Sequence, residues 1–265
     1  MIRRDAMPTF VSNGTRLYYE EHGNGIPVVL LHGFTTSLAG NWQRRGWFEV
    51  LAESGFRAIA LDFPSHGRSE RVYDDAPCST DALAADVVAL LDHLLIPRAA
   101  LVGFSMGGGV ALRVALDYPS RVAKVVVGGV GDSALNRLHD PDEIRTLVAA
   151  FEADSVGQIE NHNARRLRHN AELAGHEPSA LLPYLRQGGW PGGLSDVDPV
   201  QVSVLLVLAA DDQYMRQTKA LREWLDQARL VEVGGRHHHD VLEDEAVKQS
   251  VVAFLREGEH PEPCR

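Results

Sequence analysis

The sequence predicts an α/β fold in which a mostly parallel central sheet is covered by helices on both faces. Short apolar segments alternate with helical patterns along most of the chain. These segments are almost continuously apolar, as in VVLL, RAIAL, AALVGF, KVVVG and VLLVLA. Strands buried on both faces have this composition, which is typical of parallel sheets between helical layers. Chemistry in such sheets lies just beyond the carboxyl ends of the strands.

The elements follow in order along the chain. Strands are predicted at residues 16–22, 27–31, 56–61, 99–104, 122–128, 202–209 and 230–233. Helices are predicted at residues 41–54, 80–94, 106–118, 217–228 and 242–257. Ser79 is the expected cap of the second helix, and Pro119 ends the third because proline cannot continue a helix.

Residues 132–197 interrupt the alternation. This segment is rich in Arg, His, Glu and Asn, contains a helical stretch at 142–153, and includes the loop QGGWPGG. Structureless loops of this length are uncommon in compact domains, so we predict an inserted helical cap rather than an irregular surface loop. The core domain then comprises residues 1–131 and 198–265.

Bulk properties exclude several classes of protein. A net charge of −10 speaks against a nucleic-acid-binding surface. The two cysteines, Cys78 and Cys264, are expected to be free thiols in a reducing compartment. No apolar stretch reaches the ~20 residues that span a membrane, and the start MIRRDAMPTF lacks the apolar run of a secretory signal. We therefore expect a soluble cytoplasmic protein, and no pattern indicates an oligomeric state.

The strongest chemical motif is GFSMG at residues 103–107, between a predicted buried strand and a predicted helix. It matches the G-x-S-x-G nucleophile elbow, in which a strained turn projects the hydroxyl of Ser105 outward. The flanking glycines avoid collisions with neighbouring backbone. A P-loop would need a lysine after the glycines, and a dinucleotide fingerprint would need G-x-G-x-x-G; both are absent. An idle serine in a tight turn is the alternative.

His32-Gly33-Phe34 directly follows the strand VVLL. With this motif and the elbow, the chain resembles the α/β-hydrolase superfamily over nearly its whole length outside the cap. The resemblance is greatest to bacterial serine hydrolases of the esterase, C–C hydrolase and cofactor-free haloperoxidase kind. It implies an oxyanion hole formed by the backbone N–H groups of Phe34 and Met106, with His32 bracing the loop.

The segment DFPSHGRS at residues 62–69 is similar to the family pattern Asp-x-Arg/Pro-Gly-His-Gly-x-Ser. Ser65 replaces the first glycine of that pattern, which predicts a slightly different turn. Asp62 and His66 are expected to support the loops rather than to act in catalysis.

The catalytic acid is expected after the strand VLLVLA. The resemblance places it three residues beyond the small residue Ala209, at Asp212. Asp211 remains an alternative, as does the possibility that both carboxylates are solvated loop residues. Adjacent side chains point in different directions, so one carboxylate of the pair is expected to reach the base.

The family order of serine, acid and histidine places the base after Asp212. The histidines there are His237, His238, His239 and His260, the last in the tail EHPEPCR. Counting back from Glu243 by the family spacing indicates His238, with His237 and His239 left open. The run of three histidines and an aspartate also resembles a metal site, but consecutive residues rarely converge on one ion, so no metal is expected.

Together these residues predict a serine hydrolase that cleaves an ester or related acyl bond through an acyl-enzyme, as a carboxylic-ester hydrolase does. No metal or organic cofactor is required. We expect a small-molecule acyl substrate with an apolar group, contacted by Trp42, Tyr184 and Trp190. Perhydrolase or haloperoxidase, C–C bond hydrolase and lactonase chemistry with the same triad are alternatives, and so is a non-catalytic binding protein on this scaffold.

Overall fold

A computed structural model describes residues 7–135, 140–188, 194, 200–212, 218–234 and 237–258. One eight-stranded sheet has the order β1-β2-β4-β3-β5-β6-β7-β8. Its strands are β1 (Thr9–Ser12), β2 (Thr15–His22), β3 (Ile26–Leu31), β4 (Phe56–Leu61), β5 (Ala99–Phe104), β6 (Val122–Gly128), β7 (Ser203–Ala209) and β8 (Arg229–Val233). Strands β3 to β8 pair in parallel, whereas β1 and β2 pair antiparallel. The predicted mostly parallel sheet is confirmed.

Helices cover both faces of this sheet. Within the described residues they are α1 (Leu38–Asn41), α2 (Trp47–Glu53), α3 (Thr80–His93), α4 (Met106–Asp117), α5 (Pro141–Glu152), α6 (His162–Leu173), α7 (Pro178–Arg186), α8 (Lys219–Trp224) and α9 (Glu245–Arg256). Alternate residues of β3 point to opposite faces, so Val29 joins a core with α3 and α4, and Val28 joins a core with α2 and α9. The expected helical layers on both faces are therefore present.

The first strand was missed by the sequence prediction. β1 pairs with β2 through the turn Asn13-Gly14, where both residues have positive φ. An Asn-Gly pair is the usual type I′ hairpin signal, because both central positions of that turn require positive φ. The signal was present, but a strand of only four residues gives little periodicity to detect.

Local backbone chemistry changes two of the predicted helices. The helix predicted at 41–54 is interrupted: Gln43–Arg45 form a 3-10 turn and α2 begins only at Trp47, because Gly46 between them has φ 74°. The last helix begins at Glu245 rather than at 242. Asp244 caps it by accepting hydrogen bonds from the backbone N–H groups of Ala246 and Val247.

Helices α5, α6 and α7 lie between β6 and β7 in the chain and confirm an inserted helical cap. They contact the core through loops that follow strands: the Tyr184 hydroxyl donates to the Pro64 carbonyl at 2.7 Å. The cap boundaries at 132–197 stay a prediction, because residues 136–139, 189–193 and 195–199 lie outside the described residues. Among the helices of the described residues, none combines the length and the apolar composition that a membrane span requires.

Candidate active site

Ser105 lies in the turn between β5 and α4 with φ 54° and ψ −118°, a backbone region that residues with side chains rarely occupy. Hydrogen bonds maintain this conformation: the Ser105 N–H donates to the Gly128 carbonyl at 2.8 Å, and the Gly108 N–H donates to the Ser105 carbonyl at 2.9 Å. Ser105 is partly exposed, although the residues on either side of it are buried. The turn therefore has the strained geometry that the motif predicts.

The glycines of this turn permit close packing of the backbone. A Cβ at Gly103 would lie 2.2 Å from the carbonyl oxygen of Gly107. A Cβ at Gly107 would lie 2.2 Å from the carbonyl oxygen of Leu31. Real Cβ atoms do not approach this closely, so any larger residue would move the elbow away from β3.

Asp212 and His238 come together from two neighbouring strand ends. Asp212 follows β7 and His238 follows β8, and the two side chains are buried with His238 Nδ1 2.5 Å from Asp212 Oδ2. When ionised, the carboxylate can only accept, so Nδ1 carries the proton and donates while Nε2 is left basic. Asp211 is exposed. The structure thus pairs His238 with the second carboxylate and leaves the first in solvent.

The imidazole of His238 lies beside the elbow. Its ring centroid is 4.8 Å from that of Phe104, the residue before Ser105. A Cβ at Gly129, just beyond β6, would be 3.0 Å from His238 Cε1. These contacts from β5 and β6 hold the ring at the carboxyl edge of the sheet, where Ser105 also lies.

The two neighbouring histidines have other surroundings. His237 is exposed, and its backbone N–H contacts Asp240 Oδ2 at 3.4 Å. His239 packs against Phe104 at 5.5 Å between ring centroids. Burial, followed by the charges of His238 and Arg45, lowers the pKa of His239 to about 4. Of the three neighbouring histidines, His238 is the one that forms the short hydrogen bond to Asp212.

The expected oxyanion donors lie on segments that flank Ser105. Met106 is the first residue of α4, whose N-terminus carries partial positive charge. Phe34 follows Gly33, where a Cβ would lie 3.3 Å from the Cβ of Ser105. The Gly33 N–H donates to Asn41 Oδ1 at 2.8 Å, which holds the start of this loop. Sequence reasoning missed Asn41, since nothing in the predicted helix distinguished it.

His32 and Asp62 connect the neighbouring loops. His32 is fully buried and burial lowers its pKa to about 3, so the ring is neutral: Nδ1 donates to the Gly33 carbonyl at 2.7 Å, and Nε2 accepts from the Phe63 N–H at 3.1 Å. Asp62 accepts from the N–H groups of Leu38 and Arg68 at 2.7 and 2.9 Å. Burial raises the pKa of Asp62 to about 6, against those two hydrogen bonds. Both side chains support loops, as expected.

Ser65 has φ 62°, a left-handed conformation that glycine adopts more readily than serine. Its hydroxyl donates to the Val72 carbonyl at 3.1 Å and accepts from the Val72 N–H at 3.0 Å. These two bonds offset the strain.

The three predicted substrate contacts fall in different places. Tyr184 on the cap packs over Phe34, with 5.7 Å between ring centroids, and Phe151 contacts Phe34 at 5.9 Å. Trp42 is fully buried and packs edge-on against Trp47 in the core on the α2 and α9 face. Trp190 lies outside the described residues. The structure therefore brings Tyr184, but not Trp42, over the loop of Phe34.

No described group of three or more His, Cys, Asp or Glu side chains has the arrangement of a metal site. Cys78 is a buried free thiol, and burial raises its pKa to about 12; Cys264 is outside the described residues.

Comparison with known proteins identifies the family of this chain. A family model described as the alpha/beta hydrolase fold matches residues 26–180. The chain is 31% identical over 271 residues to the 2-hydroxymuconate semialdehyde hydrolase of Pseudomonas sp. (strain CF600), covering 94% of this chain and 93% of that protein.

Solved structures share the fold at low sequence identity. The enol-lactonase from Burkholderia xenovorans LB400 superposes with a TM-score of 0.79 at 23% identity, over 94% of this chain and 100% of that one. An esterase from Exiguobacterium antarcticum superposes with a TM-score of 0.76 at 21% identity, over 92% and 97%. The extent of the sequence match and the shared architecture mean that the chain belongs to the α/β-hydrolase family.

Proposed function

We propose that this hydrolase cleaves an acyl bond of a small apolar substrate by nucleophilic attack of Ser105. The observation that carries the proposal is the buried pair of Asp212 and His238, 2.5 Å apart, at the same sheet edge as a serine with φ 54°. A charge-assisted bond this short is among the stronger hydrogen bonds of proteins, and it fixes both the tautomer and the orientation of the imidazole.

The chemistry follows from these positions. Nε2 of His238 takes the proton of Ser105 as the hydroxyl oxygen attacks the substrate carbonyl, and Asp212 stabilises the resulting imidazolium. The N–H groups of Phe34 and Met106 stabilise the oxyanion, at about 3–4 kcal/mol for each donor. His238 then protonates the leaving group. The acyl-enzyme is released by a water molecule that His238 activates.

The substrate class is inferred from the residues near the loop of Phe34. Phe34, Tyr184 and Phe151 form a buried aromatic cluster there, and the Tyr184 hydroxyl donates to the Pro64 carbonyl, so the surroundings of the loop are apolar. This favours an apolar acyl or alcohol group. The burial of Trp42 supports a packing role for that residue, so we assign it no substrate contact. Trp190 stays a proposed contact from sequence alone.

A carboxylic ester is our first choice of substrate, and a carbon–carbon bond next to a ketone is the second. The second choice is favoured by the relative at 31% identity over nearly the full chain, whose name describes hydrolysis of 2-hydroxymuconate semialdehyde. The same serine, histidine and oxyanion donors serve both, since each reaction passes through attack on a carbonyl carbon.

Fluorophosphonate labelling tests the nucleophile. We expect the wild-type protein to be labelled, Ser105→Ala to be unlabelled, and Ser250→Ala on α9 to be labelled like the wild type. A panel of p-nitrophenyl esters, lactones and 2-hydroxy-6-oxo-dienoates then ranks the substrate classes. Equal labelling of Ser105→Ala and wild type would refute the proposal.

A further inference from the structure

His176 extends from the cap to the loop that carries Phe34. It lies between α6 and α7, is buried, and its Nε2 is 2.8 Å from the carbonyl oxygen of Thr36. A carbonyl can only accept, so Nε2 carries the proton and donates. This bond joins residues 140 positions apart in the chain and links the cap to the loop directly.

The loop that receives this bond is strained. Thr35, between Phe34 and Thr36, has φ 60°, a left-handed conformation that is unfavourable for a β-branched residue. Strain of this kind persists only when surrounding contacts hold it. Asn41 holds the loop before Thr35 through the Gly33 N–H. His176 holds it after Thr35.

The imidazole of His176 is itself held in place. Its ring centroid is 5.1 Å from that of His66, which in turn contacts the ring of Phe34 at 5.8 Å. Burial lowers the pKa of His176, and the charge of Arg71 acts in the same direction, opposed by the bond to Thr36. Glu177, the next residue, pairs with Arg71. A neutral imidazole protonated at Nε2 is sufficient for the contact.

We propose that His176 is a positioning residue for the oxyanion hole. By holding Thr36 it sets the direction of the Phe34 N–H toward the carbonyl that Ser105 attacks, so that a competent oxyanion hole depends on a docked cap. The inference rests on the proposed function and deepens it. It assigns to the cap a part in transition-state stabilisation as well as enclosure of the substrate.

Two substitutions separate the hydrogen bond from the packing. His176→Phe keeps a planar ring and removes the donor, while His176→Gln places an amide N–H near the position of Nε2. A displacement of about 1 Å in a reacting geometry costs up to about 100-fold in rate, so we expect kcat to fall about 10- to 100-fold in His176→Phe with KM little changed. His176→Gln should recover most of that loss.

Glu177→Gln is the matched control. The Glu177 carboxylate accepts from the Tyr73 hydroxyl at 3.2 Å and pairs with Arg71, so this substitution weakens an adjacent contact between cap and core without touching Thr36. We expect its kcat on a p-nitrophenyl ester to match the wild type. A boronic acid inhibitor gives a second readout, because the tetrahedral boronate needs the oxyanion donors: its affinity should fall in His176→Phe by the same factor as kcat.

The outcomes distinguish this inference from the proposed function. If wild-type Ser105 is not labelled by the fluorophosphonate, the proposed function fails and the inference with it. If Ser105 is labelled but His176→Phe keeps the wild-type kcat and boronate affinity, the inference alone is overturned. It is also overturned if Glu177→Gln loses as much as His176→Phe, which would indicate general docking of the cap. Should His176→Phe not fold, His176→Asn, whose amide is too short to reach Thr36, replaces it with the same expected losses.

Discussion

Replacing Asp212 with asparagine should inactivate the enzyme while leaving its shape unchanged. The side chain is buried and nearly isosteric with asparagine, so the fold has no reason to rearrange. The charge and the acceptor that face His238 Nδ1 at 2.5 Å are what change. When the amide NH₂ faces Nδ1, the imidazole carries its proton on Nε2, and Nε2 is then unable to act as the base that we propose for Ser105.

The size of the loss follows from the role of the carboxylate. The corresponding change in a serine protease lowers kcat about 10⁴-fold through the wrong tautomer. At about 1.4 kcal/mol per tenfold, this corresponds to about 5 kcal/mol of transition-state stabilisation. We expect a loss of that order in Asp212→Asn, with little change in KM because the carboxylate is buried behind the imidazole.

Asp211→Asn is the matched control, since it makes the same chemical change one residue away on an exposed side chain. Initial rates on a p-nitrophenyl ester give kcat and KM for both variants, and thermal unfolding verifies that each is folded. A folded Asp212→Asn with wild-type kcat, or an equal loss in Asp211→Asn, would show that the acid is assigned to the wrong residue.

Three further predictions concern the base, the elbow and a buried carboxyl group. His238→Ala should lower kcat by about 10⁴-fold or more, whereas His237→Ala should leave it unchanged, measured on the same ester. Gly107→Ala should cost about 3 kcal/mol in urea unfolding, the upper end of the usual range for overpacking, because its Cβ would meet the Leu31 carbonyl oxygen at 2.2 Å. Gly157→Ala, where the nearest atom is 3.9 Å away, should cost little. Burial raises the pKa of Asp86 from 3.8 to about 7, so the folded state holds this proton more tightly and loses stability as pH rises from about 4 to 7. Asp86→Asn should therefore become more stable relative to wild type across that range, by at most about 4 kcal/mol, with no further change below pH 4 or above pH 7.

Normal turnover in His238→Ala would mean that the base is His237 or His239. A Gly107→Ala protein as stable as Gly157→Ala would mean that the elbow is less tightly packed against β3 than the distances indicate. A stability difference between Asp86→Asn and wild type that does not change with pH would show that Asp86 titrates normally in the folded protein.

Much of the fold could be predicted because parallel strands that are buried on both faces consist of consecutive apolar residues. The strands β3 to β7 were predicted to within a residue or two for this reason. β1 was missed because four residues carry too little pattern, and the division at Gly46 was missed because a single positive φ interrupts an otherwise helical composition. Local backbone conformation, rather than hydrophobic pattern, decides such details.

For the candidate site, sequence and structure contribute differently. The motif around Ser105 is local, so its strained turn could be expected from the glycines alone. The choice between Asp211 and Asp212 depends on which side chain the end of β7 turns inward, and the family spacing anticipated the buried one. The contact of His176 with Thr36 spans 140 positions and has no motif, so only the folded chain could indicate it. The placement of Trp42 in the core likewise depends on tertiary packing.

Covalent catalysis at Ser105 can be observed by trapping the acyl-enzyme during turnover. Turnover of a p-nitrophenyl ester is stopped with acid, and the protein is digested and mapped by mass spectrometry. We predict an acyl group on Ser105 within the peptide that spans β5 and α4, and none in Ser105→Ala. An acyl group on another residue, or full turnover by Ser105→Ala, would mean that Ser105 is not the nucleophile.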